Sequence, residues 1–224
     1  MKSPSIAPSK GAASWAHKMA TIPSVVVFDL GKVLLDFDYR IAARKISGRC
    51  SNRECDVRAL LEQTELLVRF ETGIITAQEF FAEIRDQAAF EGAEAEFAAF
   101  FGDIFTEIPR MIELNASLRQ RKIPTYIFSN TNSIAVAHIQ NRFPFFKNFD
   151  GYVYSFEHGA MKPDEKIYQV VEKIAAARGP AILYLDDRAE NIAGGQARGW
   201  QTILQEDPEK TWMKVRALGL LGQA

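Results

Sequence analysis

The sequence predicts an α/β protein, a doubly wound parallel sheet interrupted after its first strand by a small helical domain. Three observations carry that prediction. Short, β-branched apolar runs recur five times, helical patterns fill most of the gaps between them, and one long early stretch has helical periodicity without a strand.

The first run, Val25-Val26-Val27-Phe28, is unbroken rather than alternating, as a strand covered on both faces requires. Thr125 to Ser129, Tyr152 to Ser155, Ile182 to Leu185 and Thr202 to Leu204 repeat it. Residues 23–36 and 109–224 therefore read as the α/β core, and residues 37–108 as an all-helical insertion. Within the insertion, Thr76-Ala77-Gln78-Glu79 has the form of a capping box, and Phe80, Phe81 and Ile84 follow on one helical face. Phe97, Phe100, Phe101 and Phe105 extend such a stripe, and aromatic residues at this spacing indicate packed core rather than a ligand cage. Pro109 suits the first turn of a helix running to about Arg121, with Met111, Leu114 and Leu118 facing inward.

At 224 residues and 47% hydrophobic, the chain can bury a real core. Its 27 basic and 28 acidic side chains leave a net charge of -1, so no global field attracts nucleic acid or anionic membrane. Any anion site must be built locally. No apolar run approaches the roughly 18 residues of a membrane-spanning helix. Cys50 and Cys55, five apart on a predicted helix, suit neither a disulfide framework nor a zinc pair, and read as reduced thiols of a cytoplasmic protein. Residues 1–22, rich in Ser, Ala, Pro and Lys and free of acidic residues, read as a disordered extension, with a basic transit peptide as the alternative. His138 and His158 are isolated, and the Phe143 to Phe149 cluster reads as core rather than as a base-stacking platform.

In an open parallel sheet the ligand crevice lies at the carboxyl ends of the strands, so polar residues there are the candidates. Asp29 ends the first strand beside Leu30-Gly31, where a tight backbone permits close approach. Ser129-Asn130-Thr131-Asn132 ends the second and precedes a helix, offering donors that serve an N-cap, an anion, or both. Lys162, restrained by Pro163, supplies a cation. Asp186-Asp187 ends the fourth strand, and adjacent carboxylates repel unless a cation joins them. Hard oxygen ligands of this kind suit magnesium, with Asn191 one helical turn beyond Asp187 to hold the ligand shell.

In their order and spacing, Phe28-Asp29-Leu30-Gly31, Ser129-Asn130, Lys162-Pro163, and Asp186-Asp187 with Asn191 resemble the four motifs of haloacid dehalogenase superfamily phosphatases. The resemblance runs from about Val25 to Leu204. The helical insertion resembles the small cap of the family's first subclass, which covers the site and shapes substrate choice. More narrowly, Asp29-Leu30-Gly31, Ser129-Asn130-Thr131-Asn132 and Met161-Lys162-Pro163 resemble the bacterial alpha-glucose-1-phosphate phosphatase branch, itself similar to the phosphatase domain of soluble epoxide hydrolase.

That resemblance implies a hydrolase acting on a small phosphorylated metabolite, such as a sugar phosphate. Asp29 would form an aspartyl phosphate, with magnesium at Asp29, the Gly31 carbonyl, Asp186 and Asp187. Ser129 and Asn130 would hold phosphate oxygens and Lys162 would neutralise charge. The departure is Gly31, where most phosphatases of the superfamily carry a second aspartate as general acid and base. Asp36 and Asp38 are its neighbours in sequence. A metal-independent dehalogenase would also lack that aspartate but leaves Asp186-Asp187 unexplained, and a non-catalytic phosphate-binding protein is the reading from a different class.

Overall fold

The computed structural model describes residues 21–62 and 64–222. The extension expected at residues 1–22 lies, up to residue 20, outside them. Strand β1 (Val25–Phe28) is followed by a short β2 (Leu35–Phe37) and then by five helices, α1 (Tyr39–Ser47), α2 (Val57–Leu61), α3 (Glu65–Glu71), α4 (Ala77–Ala88) and α5 (Glu94–Gly102). The chain returns along β3 (Phe105–Glu107), which pairs antiparallel with β2. From there helices and strands alternate: α6 (Pro109–Gln120), β4 (Thr125–Ser129), α7 (Ser133–Arg142), β5 (Gly151–Tyr154), α8 (Ser155–His158), α9 (Glu165–Ile174), β6 (Ile182–Asp186), α10 (Ala189–Ala197), β7 (Gln201–Leu204) and α11 (Pro208–Ala217).

The main sheet is parallel throughout, in the order β5-β4-β1-β6-β7, so the fold is the expected doubly wound α/β type. The unbroken apolar runs are explained by burial on both faces. Val26 and Phe28 of β1 point to one side, packing with Leu114 and Leu118 of α6 and Ile139 of α7. Val25 and Val27 point to the other, toward Ile167, Tyr168 and Val171 of α9. Both faces of a central strand are thus removed from water, each buried Val, Leu or Phe contributing about 1.5–3 kcal/mol relative to exposure.

The insertion has its own core, in which Phe70, Phe80, Phe97 and Phe101 are almost fully enclosed. Phe70 stacks on Phe80 at 4.6 Å, and Phe97 on Phe101 at 5.8 Å. The Thr76 capping box forms as expected, with the Glu79 carboxylate accepting from the Thr76 N–H at 2.7 Å.

Two expectations fail here. Phe105 belongs to no helical stripe: it stands in β3 opposite Phe37, because the chain leaves and re-enters the core through a paired two-stranded gate. Strands of three residues carry too little periodicity to be read from sequence. Cys50 and Cys55 are not on a helix either. Cys50 forms an isolated bridge with Phe90, and Cys55 lies in the loop before α2, both as free thiols.

Candidate active site

Strand order reverses between β1 and β6, and the loops after β1, β4 and β6 meet over that boundary with the turn preceding α9. Phe28 pairs with Leu185 on one side and Ile127 on the other, which sets Asp29 beside the ends of both neighbouring strands. The Asp29 N–H donates to the Leu185 carbonyl at 2.8 Å and fixes its backbone there. A cavity of about 330 Å³ opens at this point, and Asp29, Ser129, Lys162 and Asp187 all line it. Groups far apart in the chain therefore share one space.

Lys162 is the hub. Its ammonium lies 2.9 Å from Asp29 Oδ1 and 2.7 Å from Asp186 Oδ2, and it donates to the Phe128 carbonyl at 3.0 Å. An ammonium has three N–H groups, and all three are used. Burial alone would drive the charge off Lys162, but the two carboxylates outweigh it and raise its pKa.

Asp186 is fully buried. Its Oδ1 accepts from the Arg188 N–H at 2.8 Å and the Asn191 amide at 3.0 Å, while Oδ2 accepts from Lys162 and the Tyr184 hydroxyl. Burial would raise this carboxyl, but Lys162 and the hydrogen bonds overcome that and hold it low. These donors anchor the carboxylate, while an Asp186 oxygen stays within 4.8 Å of oxygens of Asp29 and Asp187. Asn191 likewise serves Asp186 rather than Asp187, and its own carbonyl accepts from the Tyr168 hydroxyl at 2.8 Å.

Asp29 is the less satisfied partner. Burial pushes its carboxyl up, to about 7, with Lys162 opposing and Asp186 and Asp187 adding to the rise. Burial also raises Asp187, and Asp186 beside it adds to the effect. Oxygens of Asp29, Asp186 and Asp187 lie within 4.8 Å of one another, a crowding of negative charge that a small divalent cation would relieve. Hard carboxylate donors at this spacing fit magnesium.

The Asn130 side chain faces the loop that carries Lys162. It clamps the Lys162 backbone, accepting from the N–H at 2.8 Å and donating to the carbonyl at 3.0 Å. Ser129, 3% exposed, keeps its hydroxyl at the cavity wall with only a long bond to the Asn130 carbonyl, 3.3 Å. Asn132 caps α7 by accepting from the Ala135 N–H at 2.9 Å. Thr131 is pinned through its N–H to the Ser155 hydroxyl at 2.9 Å.

Sequence reasoning missed two contributors. Tyr184 carries a hydroxyl inside a buried strand two residues before Asp186, and that polar tip was the available signal. The other is a set of side chains from the insertion: it was expected to cover the site, but Tyr39, Leu67 and Glu71, which line the cavity, were not among the candidates. A glutamate at the end of a short helix carries no signal of its own.

Similar proteins place this geometry in context. A sesquiterpene phosphatase of Aspergillus oryzae is 25% identical over 202 residues, 89% of this chain and 98% of that protein. A D-ribitol-5-phosphate phosphatase of Bacteroides thetaiotaomicron is 25% identical over 81% of this chain and 91% of its own. A crystal structure of a family enzyme from Bacteroides thetaiotaomicron, in complex with magnesium and inorganic phosphate, superimposes with a TM-score of 0.71 at 23% identity. That match covers 82% of this chain and 94% of the other. The profile of haloacid dehalogenase-like hydrolases matches residues 23–199, and the chain belongs to that family.

Proposed function

We propose that this protein is a magnesium-dependent phosphatase that hydrolyses a small phosphomonoester, such as a sugar or polyol phosphate, through an aspartyl phosphate on Asp29. The observation that carries the reading is the convergence of Asp29, Asp186 and Asp187 within 4.8 Å, around an ammonium that bridges two of them. Phosphoryl transfer demands charge neutralisation and in-line placement more than covalent chemistry by the protein. Two of the relatives, from Aspergillus oryzae and Bacteroides thetaiotaomicron, bear phosphatase names, which supports the same reaction class.

The residues divide the work. Asp29 presents a carboxylate oxygen to phosphorus from the floor of the cavity. Lys162 holds that carboxylate in place and offsets negative charge as the phosphoryl group arrives, an offset strengthened by the burial of its own side chain. Asp186 receives nothing from the substrate: clamped by Tyr184, Asn191 and the Arg188 N–H, it keeps Lys162 charged and aimed. The Ser129 hydroxyl and the N–H groups of the turn after it hold phosphate oxygens, the turn itself being fixed by Asn130. Bound by Asp29, Asp187 and the Gly31 carbonyl, magnesium would screen the approach of one anion to another. The five-helix insertion acts as a cap, a role supported by Tyr39, Leu67 and Glu71 lining the cavity together with the strand-end residues.

A metal-independent dehalogenase leaves the acidic trio without a purpose, because attack on carbon needs no divalent cation. The deciding experiment is a screen of sugar and polyol phosphates with and without magnesium, alongside Asp29→Asn. Activity that vanishes in EDTA, returns with magnesium and is abolished in D29N supports the proposal. Turnover in EDTA, or full activity in D29N, overturns it. Trapping of a phosphorylated Asp29 separates the enzyme from a protein that merely binds phosphate.

A further inference from the structure

Position 31, where the resemblance leads one to expect a general acid and base, holds glycine. A Cβ built at Gly31 would stand 2.9 Å from Cε1 of Phe37, so the ring occupies space that a side chain there would need. Nor do the neighbouring acids step in. Asp36 is tied to Lys32, and Asp38 caps α1 while holding the Arg40 guanidinium through bonds of 2.8 Å. The Arg40 hydrogen bonds hold Asp38 down at about 2, so it has no proton to give near neutrality.

Resting on the phosphatase reading above, we propose that Glu71 is the proton-transfer residue of this enzyme, delivering a proton to the leaving oxygen and later removing one from water. Glu71 is the last residue of α3 and lines the same cavity as Asp29 and Gly31. It is not one of the three carboxylates that crowd together among the described residues, so it is free of the cation site. Its placement is built in. Gly73, at φ +70°, presses so close to the core that an added Cβ would stand 2.2 Å from the Phe156 carbonyl oxygen, and this contact docks the end of α3 against α8. A carboxylate at a helix C-terminus also faces the negative end of the helix dipole, a position that favours its protonated form. Burial moves the Glu71 carboxyl in the same direction, up to about 7, with the Asn132 side chain opposing, the Asp29 charge adding to the rise and the Arg188 charge on the same cavity wall working against it. A group poised there serves as acid and base in turn.

The steps balance. Asp29 forms its bond to phosphorus as the bond to the leaving oxygen breaks, and the Glu71 proton passes to that oxygen, releasing an alcohol. The Glu71 carboxylate then takes a proton from water as the water oxygen bonds to phosphorus. Phosphate departs, the Asp29 carboxylate is regenerated, and Glu71 is protonated again.

The test compares wild type, Glu71→Gln and Glu71→Asp with magnesium present, on p-nitrophenyl phosphate and on glycerol 2-phosphate. The first has a leaving group that needs no proton, and the second an alkoxide that does. E71Q is expected to lose about 100-fold or more of kcat/KM on glycerol 2-phosphate and only a few-fold on p-nitrophenyl phosphate. With the aryl substrate it should give a nitrophenolate burst stoichiometric with enzyme, because phosphorylated Asp29 waits for its base. E71D should recover part of the loss, and the decline of wild-type kcat/KM on glycerol 2-phosphate above about pH 7 should disappear in E71Q. Equal losses on both substrates with no burst would reduce Glu71 to a binding or structural residue and overturn the proposal. Wild-type enzyme that never phosphorylates Asp29 would instead sink the phosphatase reading itself, a distinct outcome.

Discussion

Lys162 and Asp186 form an ion pair of 2.7 Å in which neither side chain is more than 1% exposed. Removing one partner of such a pair leaves the other as an uncompensated buried charge, the most damaging way to alter it. Lys162→Met should therefore lower stability by about 3–5 kcal/mol, measured by urea unfolding, and abolish turnover. A K162M variant as stable as wild type would show that the pair is not what holds this end of the sheet.

Tyr184→Phe removes one donor to Asp186 and leaves the ring packing against Tyr168 and Trp200 intact. A hydrogen bond to a charged group is worth about 1.5–3 kcal/mol, and the loss should show as a fall in melting temperature. Activity should drop less than in K162M, because Asn191 and the Arg188 N–H still hold the carboxylate.

Gly31→Ala should be destabilised by about 1–3 kcal/mol, since its methyl group must displace the Phe37 ring. In the background of Phe37→Ala the same substitution should be nearly neutral. Chemical denaturation of the four proteins forms a double-mutant cycle, and simple additivity would refute the contact.

Glu172 reports on the opposite end of the sheet. Its carboxylate accepts from Arg198 at 2.7 and 2.9 Å and from the Trp200 indole at 3.0 Å. The Arg198 hydrogen bonds hold its pKa below the ordinary 4.5, against the pull of burial. Because the native value is depressed, this stabilisation is complete above pH 4.5 and is lost as pH falls through the native value. Glu172→Gln should be less stable than wild type at pH 7, and the difference should shrink steadily below pH 4.5. A gap independent of pH would contradict the assignment.

The sheet was legible because its signal is local and repeated. Val25 to Phe28 and Ile182 to Leu185 are apolar on both faces, and only a covered parallel strand asks for that. Asp29, Ser129 and Asp186 could be found because a polar residue ending such a run stands where a ligand binds. The β2–β3 gate escaped notice because three residues cannot display a period, and Phe105 alone fits a helix or a strand equally well.

By itself, then, the sequence determined which residues stand at the strand ends and which fold carries them, since both follow from patterns only a few residues long. Tertiary structure decided how those residues divide their tasks. Asp186 and Asp187 are equivalent as letters, and only the donors gathered around Asp186 from Lys162, Tyr184 and Asn191 make one an anchor and leave the other facing the cavity. The same holds for Asn130, turned to the Lys162 backbone, and for Glu71, brought to the cavity wall by a helix whose end packs against α8. Hydrogen-bond saturation and burial are properties of neighbours distant along the chain, and no local pattern encodes them.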